Sequence, residues 1–144
     1  MRVRCSFMLV ALLMLLGCGM YGESNMVAEF TEVESSGWNT PSTVCFEVTD
    51  TLSRFDMSLL LRYDSYVSSN AIELFVSTTA PNGVMWSEQI TFNIAATKRS
   101  IAVAEVPLRN NIRWNQVGEY KVELLPQHLY KGVLAAGVNL AQRE

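Results

Sequence analysis

The chain has 144 residues, with 14 acidic against 11 basic side chains and a net charge of −3. That length suits one domain built on one core. A mildly acidic chain with scattered charge is not suited to nucleic acid, and it has no polybasic run to hold anionic lipid.

The N-terminal segment places Arg2 and Arg4 ahead of an apolar run from Phe7 to Leu16. A short basic region, an apolar run of about 7–15 residues and small residues at a cut site mark a secretory signal peptide. The run falls short of the roughly 20 apolar residues that a membrane span needs. It closes in Leu15-Leu16-Gly17-Cys18, which resembles the lipobox of bacterial lipoproteins. The resemblance implies that Cys18 takes a diacylglyceryl thioether, that the peptide is cut before it, and that the new amine is acylated. Residues 1–17 are then the signal peptide, 18–25 the lipidated cysteine and its tether, and 26–144 the folded domain. Cleavage would remove two basic residues and no acidic ones, leaving 127 residues with nine basic against fourteen acidic side chains, a net −5. Two or more acyl chains, at about 0.8 kcal/mol per buried CH₂, make a stable anchor.

Residues 19–25 are polar with two glycines, the composition of a tether. No Asp stands at 19, so the enteric inner-membrane signal is missing. The expected location is the cell envelope, at the outer membrane rather than the inner. Cys5 leaves with the signal and Cys18 carries lipid, so Cys45 is left without a disulfide partner and the domain must rely on its core. Cys45 lies in Val44-Cys45-Phe46-Glu47-Val48, a strand-like run, and is expected as a small buried hydrophobe.

The remainder reads as strands. Residues 26–33 mix apolar and acidic side chains, a weak first strand. Residues 34–42 hold Ser-Ser-Gly, Trp38 and Pro41, a loop. Residues 43–49 and 57–63 are rich in β-formers, with a turn at 50–55 between them. A polar loop at 64–70 precedes 71–78, which alternates around Ile72, Leu74 and Val76. Ala80-Pro81-Asn82-Gly83 is the clearest turn, with Asn-Gly expected to supply positive φ. Residues 84–94 return as its partner. A turn at 95–99, a strand at 100–108 and a connector at 109–116 follow. Residues 118–125 put Tyr120, Val122 and Leu124 on one face and Glu119, Lys121 and Glu123 on the other. Residues 133–140 are the last strand. About eight short strands in roughly 120 residues predict an all-β fold, a single antiparallel β-sandwich of the immunoglobulin-like or Greek-key type. Gln116-Val117-Gly118-Glu119-Tyr120 resembles the entry to a tyrosine corner, in which the hydroxyl bonds back to upstream backbone; the alternative is that Tyr120 is simply an inward aromatic.

Chemistry is sparse. His128 is the one histidine, whereas a zinc site draws on several His or Cys ligands. No Gly-x-Ser-x-Gly elbow, phosphate loop or EF-hand spacing occurs. Among Glu32, Glu34, Asp50, Asp56 and Asp64 nothing marks a catalytic pair. The expectation is therefore a protein that is not an enzyme and has no catalytic residues, metal or cofactor. Trp114 is expected in the core. Trp38 and Trp86 stand open between capping the core ends and meeting a protein partner or a sugar ring.

The order of motifs resembles the gliding-motility lipoproteins of the GldH type from Bacteroidetes. It runs from Trp38 through Val44-Cys45-Phe46-Glu47-Val48-Thr49-Asp50-Thr51, Leu59-Leu60-Leu61-Arg62-Tyr63, and Tyr66 and Asn70 ahead of Ile72-Glu73-Leu74-Phe75-Val76. It continues with Pro81-Asn82-Gly83, Ile90-Thr91-Phe92, Glu105-Val106-Pro107-Leu108-Arg109, Gly118-Glu119-Tyr120 and Gln127, and closes with Leu134-Ala135-Ala136-Gly137-Val138-Asn139-Leu140. The family's Asp-Gly-rich insertion is missing after Ile94, and its Asp-Val-Gly-Leu ending is altered. The resemblance implies a non-enzymatic lipoprotein with a structural or assembly role, held to the membrane by its lipid and bound to other envelope proteins. A carbohydrate-binding surface lipoprotein, using Trp38 or Trp86 as a platform, is the alternative.

Overall fold

The computed structural model describes residues 26–98 and 100–144, so Cys18, the signal peptide and the tether lie outside the described residues. Eight strands follow in order: β1 Met26–Glu32, β2 Ser42–Val48, β3 Phe55–Tyr63, β4 Ala71–Thr79, β5 Met85–Asn93, β6 Ala102–Ile112, β7 Gly118–Pro126 and β8 Val133–Gln142. The described residues contain no helix, and so none long and apolar enough to cross a membrane. The strands form two four-stranded antiparallel sheets, ordered β1-β8-β3-β6 and β2-β7-β4-β5.

The antiparallel sandwich expected from the alternation is present. Its strand order is that of an eight-stranded jelly roll, two Greek keys wound together, and not the immunoglobulin order. Only β4 and β5 are both consecutive and paired; every other connection crosses to the opposite sheet. Local periodicity announces strands but says nothing about these long-range partners.

Alternation decides which side chains enter the core. In β2, Val44, Phe46 and Val48 point in. In β3 it is Met57, Leu59, Leu61 and Tyr63, and in β7 Tyr120, Val122 and Leu124. Each fully buried aliphatic side chain stabilises the fold by about 1.5–3 kcal/mol, so three or four per strand hold it to the sandwich. Strand β8 lies between β1 and β3 and is covered on both faces, which suits its small residues Ala135, Ala136 and Gly137. Cys45 corrects an expectation. Because Val44 and Phe46 point in, the residue between them points out, and Cys45 is exposed.

The sandwich has two unlike ends. The start of β1, the end of β8 and the loops β2–β3, β4–β5 and β6–β7 gather at one, which we call the terminal end. The loops β1–β2, β3–β4, β5–β6 and β7–β8 form the far end. Trp38 closes the core at the far end. It is 1% exposed, its backbone bridges Tyr130 (N–H to O, 2.7 Å and 3.0 Å), and its indole N–H donates to Ser42 Oγ at 3.0 Å. Trp114 closes the terminal end as expected, tilted against Tyr120 with ring centroids 4.6 Å apart, while Phe46 stacks on Tyr120 at 5.7 Å.

The tyrosine corner is formed. The Tyr120 hydroxyl donates to the Gln116 carbonyl four residues upstream, at 3.3 Å. Gly118 stands between them at φ +133°, and a Cβ there would meet Pro81 Cγ at 2.9 Å, so both the backbone and the space demand glycine. The corner is tied to the β4–β5 turn by a second contact, from the Asn82 N–H to Gln116 Oε1 at 3.1 Å. That turn closes from Gly83 N–H to Ala80 O at 2.9 Å. Its positive φ falls on Gly83 alone (+87°) and not on the Asn-Gly pair, so this is no two-residue type I′ hairpin.

Candidate functional cleft

A cleft opens at the terminal end between edge strands β5 and β6. A bulge creates it. Residues 109–116 were expected to be a connector, but β6 runs on to Ile112. Pro107 is tolerated because β6 is an edge strand. Val106 pairs with Leu59 and Pro107 with Ser58, yet Met57 faces Arg109, which leaves Leu108 as the extra residue. A bulge of this kind turns the following side chain over. Arg109 therefore lies on the inward side with Met57, where unbroken alternation would have sent it out.

Arg109 meets two side chains of β5 that alternation also turns inward. Its Nη2 lies 3.1 Å from Glu88 Oε1, joining the open edges of the two sheets, and its guanidinium lies 5.9 Å from the centroid of the Trp86 ring. An inward charge on an edge strand guards that edge against pairing with another chain. The cleft has a volume of about 340 Å³, and Met57, Ile112, Arg113, Trp114, Asn115 and Tyr120 complete its lining.

Two buried donors stand in this wall without a partner among the described residues, Trp86 Nε1 and Arg109 Nε. Buried N–H groups are almost always satisfied, and an orphan costs about 1–3 kcal/mol. Glu88 offsets the Arg109 charge. For Trp86 the sequence left open a core cap or a contact residue. Arg109 was not legible, because it sat in the presumed connector and only the bulge turns it inward.

The other singled-out residues lie elsewhere. Trp38 is corrected: buried in the far-end core, it has no free face for a sugar ring or a partner. His128 is an exposed far-end histidine whose Nε2 lies 3.1 Å from Glu73 Oε2. The nearby Ser68 and Ser69 hydroxyls are engaged with the backbone at Lys131 and Ala71. The carboxylates are occupied locally: Asp50 accepts from the Leu52 and Ser53 N–H groups, Asp64 from the Tyr66 N–H, and Asp56 from the Asn111 N–H and Arg143 Nε at 2.8 Å and 2.7 Å. Among the described residues no three His, Cys, Asp or Glu side chains gather as they would around a metal ion. No family model matches the chain, and no curated protein does either.

Proposed function

We propose that the chain is a lipid-anchored cell-envelope protein with a structural or assembly role, akin to the GldH-type gliding-motility lipoproteins it resembles, and that it performs no catalysis. One observation carries this reading. Leu15-Leu16-Gly17-Cys18 stands directly before the sandwich, whose first strand begins at Met26. Acyl chains on Cys18 would hold the terminal end at the membrane, with the outer membrane preferred, and leave the far end free for another envelope protein. Cys18→Ser tests it. The variant is expected to leave the membrane fraction and to lose fatty-acid labelling; retention of both refutes the anchor. Crosslinking of the lipidated protein in its own envelope, followed by mass spectrometry, is expected to recover secretion or motility components. Recovery of polysaccharide-uptake proteins in their place would refute the assembly role.

A second reading has an observation of its own. Trp86 is half-buried in the wall of the cleft beside Arg109 and Asn115, and a partly open indole with polar neighbours suits a saccharide, whose ring face packs on an aromatic and whose hydroxyls take hydrogen bonds. On this reading Trp86→Ala abolishes binding on a glycan array. Unchanged binding, or no binding by the parent protein, refutes it.

A further inference from the structure

We infer that the sandwich rests on the bilayer by its terminal end, with the tips of three loops in the headgroup region. The inference depends on the anchor at Cys18. From Cys18 to Met26 is a step of eight residues, at most about 28 Å of fully extended chain. Strand β1 starts at the terminal end, so that end stays within about 28 Å of the membrane and meets it without the domain turning over, whereas the far end lies a strand's length further along, about 30 Å for nine residues.

What the terminal end offers the membrane fits. Each of its three loops carries an exposed apolar side chain: Leu52 (81% exposed) on β2–β3, Val84 (58%) on β4–β5, followed by Met85 (61%) at the start of β5, and Val117 (60%) on β6–β7. Two of the loops also carry an exposed arginine, Arg113 and Arg54, the latter with one Nη donating to the Asn111 carbonyl at 3.2 Å; a planar guanidinium suits a lipid phosphate. Of the acids at this end, Asp56 and Glu88 pair with Arg143 and Arg109, and Asp50 on the β2–β3 loop accepts the Leu52 and Ser53 N–H groups. Apolar area together with such contacts is what binds a protein surface to a bilayer interface. The far end also exposes apolar residues, Tyr66 and Leu129 among them; the tether decides between the two ends. In this pose the Trp86–Arg109 cleft opens beside the membrane, and the far end faces away from it.

The test uses the full lipidated chain carrying Cys45→Ser, reconstituted in vesicles of phosphatidylethanolamine and phosphatidylglycerol. A single cysteine replaces Leu52, Val84, Val117, Tyr66 or Leu129 and is labelled with an environment-sensitive fluorophore. Spin-labelled lipid is expected to quench the label at 52, 84 and 117 and to leave it bright at 66 and 129. Adding Leu52→Asp and Val117→Asp is expected to remove the quenching at 84. Vesicle-bound protein with unquenched tips, or with equal quenching at both ends, overturns the inference and spares the anchor. Protein that neither floats with vesicles nor carries fatty acid overturns the anchor and the inference together.

Discussion

Replacing Tyr120 by phenylalanine removes one oxygen from the tyrosine corner and leaves the ring in place. The ring keeps its stacking on Phe46 and its tilted contact with Trp114, so the lost packing is near zero. What goes is a single hydroxyl-to-carbonyl bond. At 3.3 Å it lies at the long end of the range, and a net loss of about 1 kcal/mol is expected. For a domain of this size that lowers the melting temperature by about 3–5 °C. Urea unfolding followed by tryptophan fluorescence is the direct assay, with Trp114 packed on the altered ring. The midpoint should fall with the slope unchanged. Tyr120→Ala, which also loses the ring, should cost about 3–5 kcal/mol. The pH dependence gives a second arm. Burial pushes the Tyr120 hydroxyl above its ordinary 10.0. A raised value means that the unfolded chain ionises first. The contribution of Tyr120 is therefore complete below pH 10.0 and is lost as pH rises through the folded value. Tyr120→Phe should lose less stability than the parent across that alkaline window. An unchanged urea midpoint, or an identical alkaline limb, would refute the claim that this hydroxyl ties the corner.

Asp56 is held below its ordinary 3.8, first by the Arg143 hydrogen bond and then by the Asn111 N–H. Its stabilising effect is present above 3.8 and is lost as pH falls through the depressed folded value, so Asp56→Asn should flatten the acid limb of midpoint against pH, and a parallel limb would count against the network. Cys45 should react with a thiol reagent in the native protein as fast as in urea, and Cys45→Ser should change stability by less than about 0.5 kcal/mol; slow labelling released only by unfolding would place the thiol inside. Trp38→Ala should cost about 3–5 kcal/mol through the far-end core, measured by the same denaturation. Trp86→Ala, at a half-buried edge position, should cost less than Trp38→Ala, and the reverse ranking would overturn the division between plug and cleft wall.

The strands were legible because alternation is a local property. Residues 118–125 announced β7, and Pro81 with its neighbours announced the β4–β5 turn, since period and turn chemistry are both written in adjacent residues. The partners were not legible. Two strands that meet across the fold leave no mark on each other's spacing, so the jelly-roll order had no signal beyond the shortage of tight hairpin turns. The apolar neighbours of Cys45 suggest burial, yet its place between inward Val44 and Phe46 points it outward. Trp38 was ambiguous because loop tryptophans both cap cores and bind ligands; only its bridge to Tyr130 decides. Arg109 was hidden for a different reason: a bulge arises from pairing with β3 and cannot be seen in β6 alone.

Strand β1 has one partner, β8, along seven register pairs from Met26↔Ala141 to Glu32↔Ala135. Its free end leaves the fold at the terminal end. If the membrane held that end and a moving partner pulled the far end, the load would run along the strand axis. The seven pairs would then be strained in shear and would have to give way together. A sideways pull would peel them one at a time. With β1 at the sheet edge and aligned with the direction of pull, the sandwich would therefore resist axial traction better than transverse traction.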